Sequence, residues 1–252
     1  MPVFLPAEAD SGMNRGIYST ANGMITAQRA LDVITNNLAN VSTNGYKRDG
    51  VAFNDALERE MAVDGREIGK LGTGATLQPT FTSFDQGSLT ETGNPLDLAL
   101  QGEDGMFAVQ VGNQTRYTRD GSFGIDANRN LVTKDGHQVL DSQSRPISLD
   151  PGTISIQPDG TVQVNGEAKA KIGVFAADSF TKIGGNLFIA GGNVKDAERT
   201  TIKSGAIEGS NVNAVDSMVQ MIQLNRLFEM SQKSIAQQDD LTQKLIQSLQ
   251  ER

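Results

Sequence analysis

Two apolar series with a period of seven stand at opposite ends of this chain, and they constrain its fold more than any other feature. Near the N-terminus Ile17, Met24, Leu31 and Leu38 recur every seven residues, with Thr20, Ala27, Ile34 and Val41 three behind each. Near the C-terminus Met221, Phe228, Ile235, Thr242 and Leu249 form a second series, with Leu224, Ser231, Gln238 and Leu245 interleaved; Met218, Ile222, Leu241 and Ile246 widen the stripe. On a helix this a/d spacing makes a seam that is buried only against another helix. Seen alone, apolar sevens describe an ordinary core face; their occurrence at both chain ends favours mutual pairing. Gly16 and Gly23 each weaken the first helix by about 1 kcal/mol relative to Ala, and Ser231, Gln238 and Thr242 soften the second seam. Both segments therefore need a partner to become fully helical.

The chain between these segments reads as β-structure. Phe107–Val111, Thr153–Ile156 and Thr161–Val164 are short strand-like runs. Asp120-Gly121, Asp135-Gly136 and Asp159-Gly160 are turn dipeptides, and Gly184-Gly185 and Gly191-Gly192 punctuate the later part. Phe53, Leu57 and Met61, four apart, suggest a helical turn or two over 51–61. Gly65, Gly69, Gly72 and Gly74 suggest a flexible connector. The expected class is α+β, with long N- and C-terminal helices pairing as a coiled-coil-like stem and an all-β domain of many short strands inserted between them. Its expected parts are a loose tail over 1–12, a helical axial core of 13–60 with 209–252, a Gly-rich connector over 61–80, and the β domain over 81–208. Ser11-Gly12 would cap the first helix, with Met13 an alternative start, and Asn213 or Asn211 would cap the second.

The first helix should end in Asn36-Asn37-Leu38-Ala39-Asn40-Val41-Ser42-Thr43-Asn44-Gly45-Tyr46-Lys47-Arg48. Asparagine competes for backbone groups inside a helix but suits helix ends. Asn44-Gly45 is a turn dipeptide, since both residues accept positive φ. The stretch marks the point where the chain leaves the stem for the β domain, its asparagines satisfying exposed backbone groups, partly across subunits.

The chemistry of catalysis is thin. With no cysteine there is no disulfide, thiolate site or cysteine nucleophile. The one histidine, His137, adjoins a turn, and Gly69–Gly74 lacks the Gly-Lys-Ser/Thr ending of a phosphate loop. Asp126–Asn130 begins like a calcium loop but has Leu131 at the sixth position and His137 at the twelfth, so it reads as a surface turn. A formal net charge of −8 without a basic run argues against nucleic acid or an anionic membrane as the main partner. No apolar run approaches the roughly 18–20 residues needed to span a bilayer, and the first ten residues lack the pattern of a secretory signal. A chain of this kind working outside the cytosol would leave by a route that reads no such signal.

Three blocks carry a family resemblance. Asn36–Arg48 resembles the N-terminal signature of the flagellar axial proteins, and within them the basal-body rod proteins. Leu96–Gly102, Gly105–Val109, Tyr117–Phe123 and Leu131–Gly136 are similar to the β domain shared by rod and hook proteins. Gly209–Asn213 with Met218–Ile222 and Arg226–Met230 resembles the C-terminal signature. Ser204–Val212, Phe228-Glu229-Met230 and Ile183–Phe188 look more like the proximal rod protein, with the distal rod protein second. The extra residues 1–12 and Met106, where the family tends to have an aromatic, depart from the pattern.

The resemblance implies a non-enzymatic subunit of a hollow helical shaft that transmits torque and leaves an export channel open. It would be exported by the flagellar type III apparatus and would lie in the periplasm or cell-wall space. Its partners would be proximal and distal rod proteins and copies of itself, with no cofactor or metal, no nucleic acid and no membrane insertion. The assembly surface would include Ile17, Met24, Leu31, Ile34, Asn37, Leu38 and Asn40 from the first segment. Asn211, Asn213, Met221, Phe228, Ile235 and Leu245 would supply the second. A glycan-binding or cell-wall-cleaving β domain is the reading from another class, but no carboxylate or metal set for it stands out in the sequence.

Overall fold

The computed structural model describes the backbone of residues 9–250 except 52, 56–58, 64–65, 72–74, 78–79, 103 and 198; side chains are described over 20–51 and 80–250, apart from 103, 198, 245, 249 and 250. The chain divides into two compact units, one of Met1–Asn36, Asp49–Phe81 and Val215–Arg252, the other of Asn37–Arg48 and Thr82–Ala214.

The first unit contains most of both long helices. Helix α1 runs over Ala9–Ala39 and α2 over Ala214–Gln250, about 46 and 55 Å at 1.5 Å per residue. Helix α1 opens four residues before the expected start at Met13, so Ser11-Gly12 lies inside it rather than at its end. Among the described residues of α1, Thr26, Ala27, Ala30 and Asn37 are buried, while Met24, Leu31, Ile34 and Leu38 are half-buried. On α2 the seam residues Met221, Leu224, Phe228, Ser231, Ile235, Gln238 and Thr242 are half-buried, whereas Met218, Ile222, Leu241 and Ile246 are exposed. The side chains of Ile17 and Leu245 lie outside the described residues. No described helix is long and apolar enough to cross a membrane.

Where helical turns are expected over 51–61, the described residues form strands instead. Strand Phe53–Asp55 pairs with Ala75–Leu77, and Arg59–Val63 pairs with Arg66–Leu71, both antiparallel. The supposed glycine-rich connector thus supplies the partner strands. Three apolar residues spaced by four cover about two turns, too short to repay helix nucleation, and cross-strand pairing wins.

In the second unit, strand Met106–Val111 is the hub. It pairs antiparallel with Gln114–Thr118, Gln138–Val139 and Val174–Gly184. The long Val174–Gly184 and Leu187–Asp196 strands form a hairpin whose second strand returns to Gln114–Thr118, closing a four-strand circuit. Alternate side chains of a strand face opposite ways, so Phe107 and Val109 enter one core with Leu98, Leu131, Val139 and Ile172, while Ala108 packs with Leu140 and Phe175. This burial on both faces explains the unbroken apolar start of the strand. Gly136 and Gly160 take positive φ in their turns. Gly121 does not; a Cβ there would overlap the Leu98 carbonyl, so its glycine serves close approach. Gly192 lies within a strand, near a register shift between Ala177 and Ser179, and marks no turn between strands.

Candidate functional site

The stretch Asn37–Arg48 belongs to the β-rich unit, and it is held there by residues far away in the chain. Glu208, at the end of strand Ala206–Glu208, is fully enclosed. One carboxylate oxygen accepts from Lys47 Nζ at 2.7 Å and from the Gly87 amide at 2.9 Å. The other accepts from Arg119 Nε at 2.7 Å. Two cations thus share one carboxylate, and both also donate to backbone carbonyls. Lys47 Nζ reaches Asp85 O at 2.7 Å, and the Arg119 guanidinium reaches the carbonyls of Leu100, Gly102 and Gly105. Burial pushes the Lys47 ammonium below the usual lysine range, against the pull of Glu208 in the other direction. Buried ions persist only when paired and hydrogen-bonded, and here the contacts also tie together five chain segments, those of Lys47, Asp85–Gly87, Leu100–Gly105, Arg119 and Glu208.

Backbone contacts complete the joint. The Gly45 amide donates to the Glu208 carbonyl at 2.7 Å. Gly45 has φ +65°, and a Cβ would overlap the backbone of Arg119 and Asp120. Asn211 does not cap α2; its side chain accepts from the Arg48 amide at 2.7 Å and donates to the carbonyls of Ser83 and Asp85. Asn213, immediately before Ala214, occupies the cap position. Asn37, buried in the last turn of α1, accepts the Tyr46 hydroxyl at 3.1 Å, and Asn40 accepts from the Thr43 hydroxyl at 3.2 Å. These two amides serve neighbouring side chains of their own chain.

Above the stretch lies the tip of the long hairpin. Lys182 Nζ sits 3.9 Å from the centre of the Tyr46 ring and donates to Lys47 O at 2.7 Å. Asn186 Nδ2 donates to Asn44 O at 2.6 Å.

Of the residues expected at the assembly surface, the structure brings Asn37, Asn40 and Asn211 to this joint. Met24, Leu31, Ile34, Met221, Phe228 and Ile235 lie on the helices of the other unit, and Leu38 is in the last turn of α1. Lys47, Arg119 and Glu208 were missed as a set. Their signals were the aromatic-basic triplet Tyr46-Lys47-Arg48 and charged residues within otherwise apolar or turn blocks, but nothing local pairs them. Asp126, the start of the calcium-like run, spends its carboxylate on the Asn130 amide and side chain. Among the described residues no three His, Cys, Asp or Glu side chains converge as metal ligands. The joint is chemically suited to gripping backbone, not to turning over a substrate.

Comparisons with known proteins match the same three regions. Residues 17–47 match the family described as flagella basal body rod protein, 99–164 the flagellar hook protein FlgE/F/G D1 domain, and 203–248 the flagellar basal body rod FlgEFG protein C-terminal family. The chain is 34% identical to the flagellar basal-body rod protein FlgG of Bacillus subtilis, covering 93% of this chain and 98% of that one. It is 34% identical to FlgF of Mesorhizobium japonicum over 86% and 90%, and 33% identical to FlgF of Caulobacter vibrioides over 95% and 98%.

Proposed function

The chain belongs to the flagellar basal-body rod protein family, and from that premise we propose that it is a proximal-rod subunit of a hollow helical drive shaft. It is a structural protein of the basal body, not an enzyme. In this reading α1 and α2 pair along their seams as the axial stem, and the joint around Glu208 fixes the Asn37–Arg48 stretch within the β-rich unit. The shaft transmits motor torque and leaves an export channel along its axis. Copies of the chain assemble with each other and with proximal and distal rod proteins. They reach the periplasm or cell-wall space through the flagellar type III apparatus.

The observation that carries the assembly reading is the second apolar face of α2. Val219 and Met230 are 49% and 61% exposed, and at about 100° per residue they lie on the far side of the helix from the Met221–Phe228–Ile235 seam. A helix apolar on two sides requires two partners, one along each side. The second side suits neighbouring subunits, whose contacts would complete what the sequence leaves weak in an isolated chain. The proximal position is supported by the resemblance of Ser204–Val212, Phe228-Glu229-Met230 and Ile183–Phe188 to the proximal rod protein. Labelling a tagged chain in isolated basal bodies tests the proposal. Label below the distal rod is the expected result; label within the distal segment reassigns the subunit, and none in the basal body overturns the reading.

A further inference from the structure

We infer that Lys182 is a positioning residue that latches the Asn44–Lys47 turn, and through it Asn37, in place within the β-rich unit. The inference deepens the rod reading and rests on it for its biological consequence. Its basis is the tip of the Val174–Gly184 and Leu187–Asp196 hairpin. Gly184, Gly185 and Asn186 all have positive φ, which closes the tip tightly and aims both Lys182 and Asn186 at the same short stretch. Below the tip the hairpin is braced, because Phe84 packs 6.1 Å from Phe180 and 5.7 Å from Phe188, and Tyr117 lies 5.5 Å from Phe180. Two strands with aromatic bracing form a stiff arm, and a stiff arm can hold what its tip touches.

Lys182 touches with its charge. Its ammonium faces the π-cloud of Tyr46, a ring only 4% exposed, and bonds the carbonyl of Lys47, the residue that enters the Glu208 cluster. A cation over a largely desolvated ring is held more strongly than one in water. The ring's hydroxyl in turn donates to Asn37 in the last turn of α1. A continuous set of contacts thus runs from Lys182 through Tyr46 to Asn37, and a second from Lys182 through Lys47 to Glu208. A surface lysine with no role beyond solubility would not sit over a buried ring while donating to a carbonyl 135 residues away.

Hydrogen exchange of the purified full-length chain tests the latch. Lys182→Met keeps the apolar stem but removes both charge and donor; Lys182→Arg restores them. Amides of Gly45 and Tyr46 should exchange about tenfold faster in the methionine variant, with the Met106–Val111 strand unchanged, and the arginine variant should return to within about twofold of wild type. Unchanged exchange at Gly45 and Tyr46, equal loosening of Met106–Val111, or failure of arginine to restore protection each overturns the inference. Because this is read on the monomer, its failure is distinct from failure of the rod reading, which shows as absence of the wild-type chain from basal bodies.

Discussion

Lys47 and Glu208 stand 161 positions apart in the chain and 2.7 Å apart in space, each within 1% of complete burial. One closes the segment that follows α1; the other closes the strand that precedes α2. Their contact joins the segment that follows α1 to the strand that precedes α2 within the β-rich unit, and Arg119, from the β core, shares it. The cluster carries two positive charges against one negative, so the carboxylate is the member that the others depend on.

That asymmetry makes a prediction. Glu208→Gln leaves Lys47 and Arg119 buried without an opposing charge and should cost about 3–5 kcal/mol of stability in the β-rich unit. Lys47→Met should cost far less, because Glu208 keeps Arg119 and the Gly87 amide. Urea unfolding of both variants decides; equal losses would show that the ion pair acts as two independent contacts.

Gly45→Ala should destabilise the same unit by more than about 1 kcal/mol. The φ of +65° disfavours any side chain, and the new methyl would meet the backbone of Arg119 and Asp120. Gly93→Ala is the control, since it has φ +72° with nothing near a Cβ. It should show the conformational cost alone, and a loss as large as that at Gly45 would remove the close approach from the account.

Acid should expose the role of Asp141. Partial burial pushes its carboxyl up, but hydrogen bonds from Arg145 and the Gln143 amide outweigh this and hold it below its ordinary value of 3.8. A carboxyl depressed in the folded state contributes stability that is present above the unfolded value and lost as pH falls through the folded one. Wild type should therefore unfold at higher urea than Asp141→Asn near pH 6, and the gap should close below about pH 3.8. A gap that persists unchanged into that acid range contradicts the assignment.

Leu31→Asp places a charge on the α1 seam, where burial would cost several kcal/mol or shift the group towards neutrality. Incorporation into basal bodies should be lost while thermal melting of the β-rich unit stays nearly unchanged. A variant that assembles and restores motility would remove Leu31 from the stem.

The heptads and the turn dipeptides were legible because they are local. Period seven from Met221 to Thr242 reappears as a half-buried stripe on α2, and Asp135-Gly136 and Asp159-Gly160 reappear as turns with positive φ at the glycine. The four-residue spacing of Phe53, Leu57 and Met61 misled because short runs carry too little free energy to outvote a strand partner. Position alone offers both Asn211 and Asn213 as the cap of α2, and Asn213 takes it. The partners of Asn211, namely Arg48, Ser83 and Asp85, are at least 126 residues away, beyond the reach of any local rule.

By itself the sequence determined that helices stand at both ends, that a many-stranded β body lies between them, and that an asparagine-rich stretch marks the passage from one to the other. These follow from periodicity and backbone preference, which act over a few residues. Tertiary structure alone decided that Lys47, Arg119 and Glu208 share one buried site, and that a hairpin tip places Lys182 over Tyr46. A charge in sequence does not announce its burial. The desolvation that makes Glu208 depend on its cations, and that lowers the Lys47 pKa, exists only once distant segments have closed around them.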